Sequence, residues 1–186
     1  MDIIVDSKFT FEEALVGTKA PEDIIKTLSL IDIEYMSFDK KLHRGQLLVH
    51  RDIADELREI FAQLLSWRFP IGKVIPLVAY NWSDEASMDD NNSSAFNYRF
   101  VYGTNEVSNH SFGLALDINP LQNPYVAIDG KVFPEDAVYN AEIPGTLTEN
   151  GQVVLLFESK GWSWGGKGVR VGNSELKDWQ HLQKIK

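Results

Sequence analysis

The segment DIADELREIFAQLLSW, residues 52–67, sets Ile53, Leu57, Ile60, Phe61, Leu64 and Leu65 on one face at helical spacing. A helix with one apolar stripe turns that stripe to a core. Asp52 stands where a side chain can cap the first turn. Strand signals surround this helix. IDIEYMSF, residues 31–38, alternates apolar and polar, GQLLVH (Gly45–His50) is a second strand, and KVIPLVAY, residues 73–80, is expected to be a third. APEDIIKTLSL (Ala20–Leu30) is expected to form a short helix, with Pro21 in its first turn. Further on, GLALDINP reads as a strand stopped by Pro120, and GQVVLLFESKG as a helix closed by Gly161. Between these elements lies the polar stretch NWSDEASMDDNNSSAFNYR, Asn81 to Arg99. A loop of that length in a compact domain is more often functional than idle.

The chain mixes α and β signals without repeats or low-complexity linkers, and its 186 residues suit a single domain, 1–186, with its own core. A formal charge of −9 argues against nucleic acid or an anionic membrane as the main partner, since both reward basic patches. Cysteine is absent, which excludes disulfides and thiolate metal sites. The N-terminus, MDIIVDSKFTFEEA, carries acids where a signal peptide needs a basic segment followed by an apolar run. No stretch approaches the roughly 18 apolar residues of a membrane helix. A soluble monomer is expected, reaching any extracytoplasmic site of action through a removed leader or another export route.

The stretch SNHSFGLALDINP, Ser108 to Pro120, puts ionisable groups beside an apolar strand. Leu114, Leu116 and Ile118 point to one face, and Ala115, Asp117 and Asn119 to the other. His110 lies too far back for an extended chain to bring it to Asp117, because seven residues span roughly 23 Å. A bend at Gly113 would swing it in. A histidine with a carboxylate suits a borderline cation such as zinc. The chain has four histidines in all. His43 and His50 flank GQLLV at what reads as a hairpin rim. His181, in DWQH, follows Asp178 by three residues. Spacing leaves two readings of DWQH open. It is a surface turn with an aromatic tucked inward, or a metal ligand preceded by a general base, as hydrolytic zinc sites require.

The pattern S-x-H-x-x-G-x-A-x-D at Ser108, His110, Gly113, Ala115 and Asp117, followed by D-x-x-H at Asp178 and His181, resembles the zinc D-alanyl-D-alanine carboxypeptidase family. That family includes L-alanyl-D-glutamate endopeptidases and shares its fold with the hedgehog domain. SMDDNNSSAFNYR, DINPLQNPYV and GWSWGG resemble neighbouring family segments, so the similarity runs from about the APEDI segment to the last residues. The resemblance implies an α+β fold of the hedgehog/DD-peptidase type, with a small antiparallel central sheet flanked by helices. It implies one zinc ion held by His110, Asp117 and His181, with Asp178 as general base. Arg99 matches the arginine that pairs with a substrate carboxylate or an oxyanion. Ser108 orients His110 or touches substrate. Trp164 and Tyr98 line the cleft or pack in the core.

The implied activity is hydrolysis of peptidoglycan stem peptides, at a bond from alanine to D-alanine or to D-glutamate. The implied place of action is the cell wall. A non-catalytic zinc-bearing wall-binding module of the same fold is the alternative, and a base at Asp178 is what that module would not need. Three departures from the family pattern concern cleft shape: Leu182 where an aromatic is frequent, Gly168 where a tryptophan is frequent, and the insert KGVRVGNSELK before Asp178. Three other motifs read as chance. GWSWGGK lacks the Ser or Thr of a phosphate loop, DEASMDD lacks the glycine and terminal glutamate of a calcium loop, and a glycan on Asn109 in Asn109-His110-Ser111 would cover the proposed site.

Overall fold

The computed structural model describes residues 3–171 and 174–184. In chain order come β1 (Ile4–Val5), α1 (Phe11–Ala14), α2 (Glu22–Ile25), β2 (Leu28–Met36), β3 (Leu42–His50) and α3 (Ala54–Ser66). They are followed by β4 (Lys73–Val74), α4 (Asp84–Asp89), β5 (Asn92–Ser93), β6 (Ala115–Asp117), β7 (Tyr125–Val126) and β8 (Val132–Phe133). The chain closes with α5 (Gln152–Ser159), β9 (Trp162–Trp164), β10 (Val169–Val171), β11 (Ser174–Asp178) and β12 (His181–Lys184).

The long hairpin and α3 form the base of the molecule. β2 and β3 pair antiparallel from Leu28 opposite His50 to Met36 opposite Leu42. Strand alternation turns Ile31, Ile33 and Tyr35 inward, and helical spacing sends Leu57, Ile60, Phe61 and Leu64 of α3 to meet them. All are essentially inaccessible to water, and each apolar side chain so buried contributes about 1.5–3 kcal/mol. The same apolar cluster takes in Leu116 and Ile118 next to Asp117, Val154 and Phe157 of α5, and Trp162, Trp164 and Leu182. The strands that carry the site are therefore anchored on their inner face to the base of the molecule.

Several expectations are corrected. The sheet is not one central antiparallel layer. The described residues form several small sheets in the orders β1-β3-β2, β10-β11-β7-β8, β6-β12-β9 and β4-β5, and the pairs β1–β3 and β4–β5 are parallel. The Ala20–Leu30 helix is only the single turn Glu22–Ile25, because Leu28–Leu30 pair with β3 instead. Strand pairing there outweighs local helical preference. Asp52 does not cap α3. Its own N–H donates to His50 Nδ1 at 3.3 Å in a 3₁₀ turn that precedes the helix. The 73–80 strand stops after two residues, since Pro76 has no N–H to offer and Leu77–Tyr80 curl into a 3₁₀ turn. The stretch from Asn81 to Arg99 is not all loop: Ser83 caps α4 by accepting from the Ala86 N–H at 3.1 Å, and β5 follows. Asn92 fixes this segment by bonding both the N–H and the carbonyl of Ile75, at 2.8 and 2.9 Å.

Candidate metal centre

His110 sits in a 3₁₀ turn, Asn109–Phe112, whose start is capped by the Ser108 hydroxyl accepting from the His110 N–H at 3.3 Å. The turn ends at Gly113, whose φ of 64° is left-handed. A side chain there would also collide with β3, since a Cβ would lie 2.5 Å from the His50 nitrogen. The Gly113 carbonyl in turn accepts from that N–H at 2.9 Å. The expected bend is present, and it is pinned to the long hairpin.

Asp117 and His181 face each other directly across the antiparallel pair β6–β12. On its other side, Asp117 exchanges backbone hydrogen bonds with Ser94, at 2.8 and 3.1 Å. His110 Nε2 lies 3.1 Å from His181 Nδ1 and 3.2 Å from Asp117 Oδ2, and His181 Nδ1 lies 3.2 Å from Asp117 Oδ1. Ligands on a tetrahedral ion with bonds of about 2.0–2.1 Å are separated by about 3.3 Å. The three side chains are therefore spaced as one small ion requires, and the two-imidazole, one-carboxylate donor set suits zinc. Among the described residues they form a group placed to share a metal ion.

Each imidazole is held from behind. His110 Nδ1 meets the Ala95 carbonyl at 2.5 Å, which keeps its proton there and leaves Nε2 free to bind. His181 Nε2 meets Gln183 Oε1 at 3.1 Å. The buried Asp117 carboxyl is pushed up by burial, but the charge and hydrogen bonds of His110 and His181 outweigh this and hold it far below the usual carboxylate range. Burial likewise opposes charge on His181, yet its hydrogen bond to Asp117 and the neighbouring Asp178 push its pKa up to about 9.

Asp178 ends β11, opposite Tyr125 of β7. Its Oδ1 is buried and without a hydrogen-bond partner. Burial, followed by the opposing effect of His181 and the repulsion of Asp117, leaves its pKa raised to about 6. Gly165 makes the approach possible, since a Cβ there would lie 2.6 Å from the Asp178 carbonyl oxygen and 3.4 Å from the His181 Cβ.

His110, Asp117, Asp178, His181, Ser108 and Arg99 all line one open cavity of about 680 Å³. The Arg99 guanidinium is paired at 3.0 Å with Asp84 of α4, whose other oxygen accepts from Asn97 at 3.2 Å. Trp164 is not brought to the cavity; it is buried, and its indole N–H donates to the Trp179 carbonyl at 2.8 Å. Tyr98 packs in a separate apolar cluster around Phe96. His43 and His50 lie outside the site, His43 bonding Asp6 at 2.9 Å. Sequence reasoning missed Gln183 and Asp84. A signal for Gln183 existed, because a residue two places after a ligand on a strand shares its face. Asp84 was hidden in an acidic run.

No curated protein and no solved structure matches the chain. Residues 102–184 match the D-alanyl-D-alanine carboxypeptidase family. That span is shorter than the resemblance read from the sequence, and it leaves Arg99 outside. Within it lie the two histidines, Asp117 and Asp178, so the four side chains of the centre fall inside the span that is similar to this family.

Proposed function

We propose that the protein is a zinc peptidase that hydrolyses peptidoglycan stem peptides, at a bond from alanine to D-alanine or to D-glutamate. The observation that carries this reading is the convergence of His110 Nε2, His181 Nδ1 and the Asp117 carboxylate at 3.1–3.2 Å, inside the stretch that matches the family. A bound ion would supply Lewis acidity and make water nucleophilic near neutral pH. The chain's own residues supply the rest. Asp178, which burial pushes up to about 6 in the metal-free protein, lines the same cavity and is the carboxylate placed to take a proton from the attacking water. As the C–N bond breaks, the same carboxyl returns that proton to the leaving amine. Arg99 is permanently charged and lines the cavity, where its guanidinium fits a substrate carboxylate or the developing oxyanion. A substrate carboxylate binding there would compete with Asp84 for the guanidinium.

Ser108 is assigned to setting the His110 turn rather than to substrate, and Trp164 to the core beneath the site. Residues 1–186 are read as one catalytic domain of the hedgehog/DD-peptidase type. This is supported by an apolar cluster that runs from Ile31 to Leu182. The place of action would be the cell wall. No described helix is long and apolar enough to cross a membrane.

Incubating the purified protein with isolated peptidoglycan, with and without chelator, and reading the products by mass spectrometry tests this. Chelator-sensitive release of D-alanine identifies a carboxypeptidase, and chelator-sensitive cleavage inside the stem an endopeptidase. No release from zinc-loaded protein would overturn the hydrolase reading in favour of a wall-binding module.

A further inference from the structure

The two imidazoles of the centre are held in different ways. His110 leans on a main-chain carbonyl, Ala95, that no substitution removes. His181 leans on a side chain. Gln183 Oε1 accepts from His181 Nε2 at 3.1 Å and from Asn109 Nδ2 at 2.7 Å. Gln183 lies two residues beyond His181 on β12, so strand periodicity puts both on one face. Asn109 immediately precedes His110 in the 3₁₀ turn. One amide oxygen therefore ties together the two segments that carry the histidines, across 74 residues of chain.

We propose that Asn109 and Gln183 form an amide clamp that positions His181 for the metal ion, with Gln183 as the positioning residue. An amide oxygen can only accept, so a singly protonated His181 keeps its proton on Nε2 and turns the Nδ1 lone pair toward His110 and Asp117. The Asn109 bond fixes where that oxygen sits, and so the ring's rotation as well as its tautomer. The proposal rests on reading the centre as a metal site.

Zinc affinity, measured by competition with a chromophoric chelator on stripped protein, tests it without reference to catalysis. Gln183→Leu removes the acceptor and should weaken zinc binding by about 10–100-fold, the usual effect of losing such a partner. Gln183→Glu keeps an acceptor and should bind within a few-fold of the parent, or more tightly. Asn109→Ala should fall between the parent and the Leu variant. Nitrogen-15 NMR of the zinc-loaded parent should show His181 protonated on Nε2, a signature that a merely structural amide would not require. Zinc binding by Gln183→Leu at the parent's affinity would overturn the clamp. So would a Gln183→Glu variant that folds yet binds zinc at least tenfold more weakly than the parent, a comparison that holds even if the Leu variant does not fold. A parent protein that binds zinc but leaves peptidoglycan intact removes the peptidase reading alone and leaves the clamp standing.

Discussion

At the scale of single residues, Asp178 is proposed to have a different task from its three neighbours. Asp178→Asn should keep its zinc while losing turnover by about 10²–10⁴-fold, the usual worth of a general base. Metal analysis beside a product assay checks both halves, and loss of zinc would mean that Asp178 is a ligand. The raised pKa makes a second demand. A carboxyl lifted from 3.8 to about 6 by burial is favoured in its neutral form, so its ionisation opposes folding progressively as pH rises through that window. Metal-free Asp178→Asn should therefore melt above the metal-free parent at pH 8, and the difference should vanish below about pH 4. His181 has the opposite signature. Its pKa near 9 means the metal-free ring carries an extra proton at neutral pH, held by Asp117. Zinc must displace that proton, so affinity should climb with pH up to about 9. Calorimetry in buffers of different ionisation heat would detect the released proton, and its absence would contradict the assigned ring state. His110 and Asp117 stood out because their residue types are costly next to an apolar strand, whereas Asp178 and His181 were singled out by their spacing and by the family resemblance. Gln183 could have been placed on the face of His181 by strand alternation, but its bond to Asn109, 74 residues away, was not legible.

At the scale of elements, the centre depends on where short strands cross rather than on their lengths. β6 and β12 have three and four residues, too short for periodicity alone to fix their pairing, yet their register sets Asp117 against His181. Gly165 decides how closely the next turn approaches. Gly165→Ala would drive a Cβ to 2.6 Å from the Asp178 carbonyl and 3.0 Å from its Cβ. The strain should cost about 1–3 kcal/mol and lower both zinc affinity and turnover. A variant with the parent's melting temperature and affinity would show that the approach is not needed. The long amphipathic helix α3 and the β2–β3 hairpin were readable because their patterns run over many residues. The Ala20–Leu30 and 73–80 segments were misread for identifiable reasons. In the first, pairing with β3 captures Leu28 onward; in the second, Pro76 ends a strand that apolar composition alone would continue.

At the scale of the whole molecule, the metal centre and the core are not separable at the C-terminal end. β12 is the middle strand of its sheet; it carries His181 toward the cavity and the fully buried Leu182 into the core. Lys184 reaches Glu56 of α3 at 2.8 Å, joining that strand to the base of the molecule. Ending the chain before His181 should therefore unfold the protein as well as abolish metal binding. His181→Ala should retain the fold and lose only zinc. Circular dichroism melts of the two variants separate these outcomes, and a truncated chain that melts like the parent would show that β12 is dispensable to the core. The α+β class was legible from mixed periodicities. The division into several small sheets was not, because it is set by pairings between residues far apart in the chain, such as Asp117 with His181.

X-ray absorption at the zinc edge of the loaded protein tests whether His110, Asp117 and His181 share one ion. Two imidazole nitrogens and a carboxylate oxygen at about 2.0–2.2 Å, with one further light atom, are predicted. A zinc spectrum without the scattering of two imidazole rings would contradict the assignment of His110 and His181 to one ion.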